Sequence, residues 1–202
     1  MHQLVLRQCE PKSSSELAFL LGGEVRKFGL KEFALVTGLN CSPYPEETKK
    51  TKKMLADEIN KKFFSGSKSV KGKEITMIFS GSIEASDEEK VKLAKLFLLE
   101  CVLLSKQKAG IDMTHMKMVN DDDVFDLYPW GRLVFEHTIG FFKRATTSLA
   151  NISTGYGIDG FSYALISWAY EAIPTLSSKG YNISINPKKT ANNSQLEVFY
   201  SA

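Results

Sequence analysis

The residue type with the clearest chemical use in this chain is lysine. Between positions 49 and 73 stand Lys49, Lys50, Lys52, Lys53, Lys61, Lys62, Lys68, Lys71 and Lys73, opposed only by Asp57 and Glu58. Nine cations against two carboxylates put this stretch at +7. The whole chain carries +3, so the remainder sums to −4. A phosphate backbone fits such a run, because each ammonium that meets a phosphate releases condensed counterions. The plainer reading is a solvated helix face and loop, the usual fate of like-charge runs. The stretch lacks arginine and any regular interleaving of aromatics, so base reading or single-strand stacking is not expected from it.

A second basic group lies near the C-terminal end. Lys188 and Lys189 stand with Asn186, Asn192, Asn193 and Gln195 between two alternating stretches. Amide side chains can read adenine edges, and a basic two-stranded ribbon fits the major groove. A surface hairpin loop is the plainer reading. The expected nucleic-acid-binding set is Lys49, Lys50, Lys52, Lys53, Lys61, Lys62, Lys71, Lys73, Lys188, Lys189, Asn192 and Asn193.

Other reactive residues point to structure. Asp121, Asp122, Asp123 and Asp126 offer oxygen ligands, but lack the ligand spacing and glycine of a calcium loop. A helix N-terminal charge cluster suits them better. Cys41 could be a thiol nucleophile beside His2, His115 or His137, yet nothing in the spacing pairs them. A buried structural cysteine is the simpler assignment. Trp130 is expected to anchor its helix in the core, and Arg132 to pair with an acid among Asp121 to Asp126. No catalytic constellation, metal site or cofactor is expected.

The elements that must position these groups are mostly helical. Leu17–Leu21 and Glu24–Phe28 read as strands, the second half-buried, joined at Gly22–Gly23, a pair suited to positive φ. Leu30 to Thr37 follows at helical spacing, with Leu35, Val36 and Leu39 widening its apolar face and Gly38 as terminator. Glu46 to Phe64 is a helix with one lysine face, and Ile75–Phe79 a strand or short helix. Ser86 and Glu89 form a capping box that opens a helix to about Lys106. Apolar residues surround its second half, which marks it as the central core helix, with Leu98 among the buried residues. Met113 to Tyr128 follows, containing Asp121 to Asp123, and helices run over Trp130 to Lys143 and Gly160 to about Ile173, the last capped by Asp159. Tyr181–Ile185 and Leu196–Tyr200 alternate as strands. The expected fold is α+β, predominantly helical, with about five or six helices and small hairpins near both ends.

Length and composition agree with one globular domain over 1–202. At 43% hydrophobic the chain can form a sizeable core. Cys9, Cys41 and Cys101 are odd in number and widely spaced, so no disulfide framework or zinc ribbon is written here. Reduced thiols imply an intracellular compartment. No apolar run is long enough for a membrane span.

Several stretches carry a family resemblance. They are Leu6-Arg7-Gln8, Gly22-Gly23-Glu24, the run from Phe28 to Leu39, and Cys41-Ser42-Pro43-Tyr44-Pro45-Glu46-Glu47. Further along are Asp121 to Tyr128, Pro129-Trp130-Gly131-Arg132, Phe135, Gly160-Phe161, Ala169 and Glu171-Ala172-Ile173-Pro174. In this order they resemble a plant domain of unknown function found upstream of SUMO-protease-like (ubiquitin-like protease) domains in proteins of Mutator-like transposons. The resemblance implies a transposon-derived, non-enzymatic nuclear protein. Related transposon proteins act as anti-silencing factors on DNA, which makes double-stranded DNA the expected partner. The alternative is a protein–protein interaction module accompanying the protease domain. Relatives usually extend further upstream, which implies a chain that begins inside a longer unit.

Overall fold

A computed structural model describes residues 4, 6–10, 13, 15–45, 57–81, 84–105, 110–148 and 159–173. Two expectations fall outside these residues: the helix from Glu46 as far as position 56, and the C-terminal strand pair with its loop. Within them the fold is mostly helical α+β, with a three-stranded antiparallel sheet and eight α-helices.

The sheet runs β1 (Gln8–Cys9), β2 (Leu17–Leu21) and β3 (Glu24–Phe28), in that order. Leu21 pairs with Glu24, so Gly22 and Gly23 form a two-residue turn, with φ of 60° and 83°. Glycine reaches that region without steric cost, as the sequence requires. Leu17, Phe19, Leu21 and Phe28 are buried. The register places Leu20 opposite Val25 on the outer side, where both are exposed. The strand expected to be half-buried is buried only at Phe28. Val25 faces out, while Glu24 and Arg26 share the side of Phe28 and pair with each other at 2.6 Å. The core reaches Leu21 on β2, while the facing end of β3 is finished by this polar pair.

Helix α1 (Leu30–Thr37) starts on Gly29, whose N–H donates to Glu32 Oε2 at 2.8 Å. It ends on Gly38 at φ 67°, whose N–H donates to the Ala34 carbonyl. Phe33 is buried on its inner face, but Leu35 is 75% exposed and does not widen that face. The remaining helices are α2 (Glu58–Phe63), α3 (Gly72–Gly81), α4 (Asp87–Phe97), α5 (Met113–Met118), α6 (Asp122–Leu127), α7 (Trp130–Ser148) and α8 (Ser162–Ala172). The count exceeds five or six partly because Met113–Tyr128 is two helices, with Asp121 capping the second. Ile75–Phe79 lies inside a helix. Asp159 does not cap α8. The cap is Phe161, whose N–H donates to Thr138 Oγ1 at 2.9 Å, after Gly160 at φ 81°. None of the described helices is long and apolar enough to cross a membrane.

Helix α4 begins on the expected capping box. Glu89 N–H donates to Ser86 Oγ, and Ser86 N–H donates to Glu89 Oε2 at 2.9 Å. At Leu98 the helix widens into a π-helical turn, Leu98–Leu103, and Leu104 N–H reaches Leu99 O five residues back. Two apolar clusters adjoin along this rod. Leu93 and Leu96 pack with Ile59, Phe64, Val70, Ile75, Met116 and Val119. Leu99, Leu103 and Leu104 pack with the sheet, Phe33, Trp130, Phe142 and Trp168. Leu98 corrects an expectation, since it is 52% exposed, seven residues after the equally exposed Val91. Seven residues are nearly two turns, so both sit on the outer stripe.

Leu99→Ala should cost about 2–5 kcal/mol, the range for a buried leucine truncation. Leu98→Ala should cost below about 0.5 kcal/mol, as surface changes do. Urea unfolding of both variants checks the assignment; equal losses would contradict it.

Candidate nucleic-acid interface

Lys49, Lys50, Lys52, Lys53, Lys188, Lys189, Asn192 and Asn193 lie outside the described residues. Lys61, Lys62, Lys68, Lys71 and Lys73 lie inside, and all five are exposed. They ride on a compact helix–loop–helix. Ile59, Phe64, Val70 and Ile75 turn inward and fix it to the second cluster. Asn60 is buried in the loop's throat. Its carbonyl accepts from Phe64 and Gly66 N–H, and its Nδ2 donates to Ser67 O at 3.1 Å. The chain reverses there through Ser65 and Gly66, at φ 53° and 66°. Asn120 Oδ1 accepts from Ile59 N–H at 3.2 Å, satisfying an otherwise free donor at the start of α2. Ile111 N–H donates to Val70 O at 2.9 Å, and Lys71 N–H donates to Glu74 Oε2 at 2.7 Å. The backbone is thus held at both helices and at the loop.

One of the five is engaged. Lys62 pairs with Glu89 at 2.5 Å and lies over the Phe63 ring. Lys61, Lys68, Lys71 and Lys73 have no carboxylate partner among the described residues. The Lys62 ammonium, helped by the Ser86 N–H, holds the Glu89 carboxyl below the ordinary carboxylate range. Lys95 does the same to Asp122.

The acidic group is used locally. Asp121 Oδ1 accepts from Val124 N–H at 3.1 Å and caps α6. Asp122 and Asp126 both receive the Lys95 ammonium at 2.8 Å. Among the described residues no group of three or more His, Cys, Asp or Glu side chains could hold a metal ion.

Arg132 does not pair with those acids. It donates to the carbonyls of Ser42 at 2.7 Å and Cys41 at 3.1 Å, and lies 4.0 Å from Glu136. These bonds are part of a staple between the 39–44 segment and the start of α7. Gly131 N–H donates to Asn40 O at 2.9 Å, and Asn40 Nδ2 to Leu127 O at 3.4 Å. Tyr44 Oη donates to Glu136 at 2.8 Å, and its ring meets Tyr128, which in turn meets Trp130. Burial, then the Glu136 carboxylate, raise the Tyr44 hydroxyl well above its ordinary range. Burial also raises the Cys41 thiol, against the lowering field of Arg132. A nucleophilic cysteine needs the opposite shift. Trp130 is buried as expected, and its Nε1–H donates to Phe125 O at 2.7 Å.

The two partners in this staple, Asn40–Tyr44 and Trp130–Arg132, both lie within residues 5–140, which match the family described as Domain of unknown function (DUF1985). The chain belongs to the DUF1985 family. No curated protein and no solved structure matches it. The family match covers the sheet, α1 to α6, the lysine-bearing helix–loop–helix and the first half of α7; α8 lies beyond it.

Sequence reasoning missed a buried polar pair. Glu100 is 3% exposed and His115 7% exposed, with Glu100 Oε1 and His115 Nδ1 at 2.5 Å. The imidazole meets the Trp130 ring edge-on at 5.2 Å, and its Nε2 lies 3.9 Å from Asp112 Oδ2. The signal was a lone carboxylate inside the run Leu98-Leu99-Glu100-Cys101-Val102-Leu103. Burial closes both groups to substrate, so the pair ties α5 to the π turn.

Two outcomes are expected. First, Glu89 and Asp122 titrate below their unfolded values. Their stabilisation is therefore present above the ordinary carboxylate pKa of about 4 and lost as pH falls through the folded values. Carboxyl NMR titration should find both below the ordinary carboxylate range, and Lys62→Ala should return Glu89 toward it. Second, a Cβ on Gly131 would stand 2.7 Å from Cys41 Sγ and 2.8 Å from Asn40 O. Gly131→Ala should therefore cost about 1–3 kcal/mol in thermal unfolding, the range for overpacking. Gly81→Ala, with open space around it, serves as the control.

Proposed function

We propose that this chain is a non-enzymatic, transposon-derived nuclear domain that binds double-stranded DNA through its lysine-rich segment. The observation that carries the reading is the exposure of Lys61, Lys68, Lys71 and Lys73 on one held helix–loop–helix, without carboxylate partners among the described residues. Unneutralised ammonium groups on a fixed scaffold supply phosphate contacts at little ordering cost. Lys62 is a lesser contributor because Glu89 already holds it. Lys49, Lys50, Lys52 and Lys53 extend the same run in sequence to the +7 total. Lys188, Lys189, Asn192 and Asn193 are proposed as the sequence-reading group, in keeping with their amide and basic chemistry.

The resemblance to plant transposon proteins supports the same setting, in which the domain precedes a ubiquitin-like protease domain and acts against silencing. A second reading is a protein–protein interaction module for that neighbour. It is favoured by exposed apolar residues, Leu35 among them.

Fluorescence anisotropy with a labelled duplex at several salt concentrations tests the DNA reading. The chain should bind random duplex with Kd of about 10⁻⁴–10⁻⁶ M at physiological salt. Replacing Lys61, Lys68, Lys71 and Lys73 by Ala should weaken binding to all duplexes and lower the log–log salt slope by about 0.9 per lost phosphate contact. Replacing Lys188, Lys189, Asn192 and Asn193 should instead narrow the gap between a selected and a scrambled duplex. Wild-type affinity weaker than about 10⁻⁴ M would overturn the DNA reading and leave the interaction module.

A further inference from the structure

Helices α1 and α8 leave an open groove between them. Glu32, Leu35 and Val36 line one wall, and Ser167, Trp168 and Glu171 the other, around a cavity of about 450 Å³. The α1 residues recur at i, i+3 and i+4, so they share one face, as Ser167 or Trp168 shares a face with Glu171. Leu35 stands largely in water, Val36 is half-buried, and the Trp168 ring is packed against Phe19 and Phe28 beneath. The apolar part of the groove is therefore rigid and backed by the first cluster.

Its charge is one-sided. Glu171 is exposed, and Glu32 spends one carboxylate oxygen on Gly29 N–H and keeps the other. Among the described residues, neither lysine nor arginine lines the groove. Two carboxylates beside an apolar wall repel a phosphate backbone. An uncharged apolar ligand would leave both carboxylates unmatched. A bulky apolar side chain flanked by cations matches wall and rim together. Short amphipathic helices that dock in grooves present such anchors at i, i+3, i+4 and i+7.

We propose that the α1/α8 groove docks a cationic amphipathic segment of a partner protein. A bulky apolar side chain rests against Leu35, Val36 and Trp168, and lysine or arginine lies beside Glu32 and Glu171. This site stands apart from the lysine surface in both residues and charge, so it does not depend on DNA binding.

The test uses the full chain and three synthetic peptides of about four helical turns. The first carries Leu at i, i+3, i+4 and i+7 with Lys elsewhere. The second is its scrambled isomer, and the third replaces each Lys by Glu. Trp168 lies in the groove and is one of two tryptophans, so emission titration reads occupancy beside calorimetry. The patterned Lys peptide should bind at least about tenfold tighter than the other two. Leu35→Asp should remove about that advantage, and Glu171→Lys should move the preference toward the Glu peptide. Both positions are exposed, and circular dichroism confirms that each variant folds. Equal binding of patterned and scrambled peptides, or unchanged binding by Leu35→Asp, overturns the proposal. Self-association that Leu35→Asp abolishes in sedimentation velocity also overturns it, by assigning the groove to a second copy of this chain.

Discussion

The structure depends on one rod, α4 with its π turn, serving two apolar clusters at once. Leu93 and Leu96 belong to one cluster, and Leu99, Leu103 and Leu104 to the other. A regular α-helix repeats at 3.6 residues, so its inward stripe drifts slowly. The five-residue closure from Leu104 N–H to Leu99 O inserts an extra residue into the turn, and the helix face advances with it. Glu100 is buried in that turn, and His115 meets it from α5. Burying a carboxylate without a partner is costly, so the pair specifies how α5 seats against the rod. The α5–α6 turn carries Asn120, and Asn120 in turn receives Ile59 N–H at the head of α2. The placement of the lysine-bearing segment thus traces back to the rod.

Much of this was legible in the sequence because some local chemistry admits few alternatives. Gly22–Gly23 could hardly be anything but a turn with positive φ, and Ser86 with Glu89 a capping box. Pro129 ahead of Trp130 marked a helix start. The misreadings share a cause, which is that composition reports how apolar a stretch is and not which way it faces. Leu98, Leu35 and Val25 are apolar and exposed because the outer stripe shared with Val91, the open side of α1 and the sheet register decide their direction. None of those is local. Arg132 was assigned to the nearby acids, yet it serves the carbonyls of Cys41 and Ser42, about ninety residues away in sequence. Long-range partners of this kind leave no spacing signal. The candidate site was legible as a charge run, whereas which lysines remain unpaired was not. Lys62 is removed from that set by Glu89, a residue of another helix.

The two proposed surfaces have opposite chemistry and belong to different clusters. The lysines ride on α2, α3 and the loop between them, packed on the second cluster. The groove is cut between α1 and α8, packed on the first. The staple of Asn40–Tyr44 on Trp130–Arg132, inside the DUF1985 match, fixes the exit of α1 to the entry of α7. Gly131 permits the close approach because a side chain there would collide with Cys41 and Asn40. The proposed nucleic-acid and peptide surfaces thus share no residues.

In the proposed function, DNA meets the lysine-bearing helix–loop–helix. The most direct measurement is a footprint by amide NMR, with isotopically labelled protein and a short random duplex at low salt. Amide signals from Lys61 to Lys73 should shift progressively with duplex, while those of Leu35, Val36, Trp168 and Glu171 stay in place. Shifts centred on α1 and α8, with Lys61 to Lys73 unmoved at saturating duplex, would contradict it.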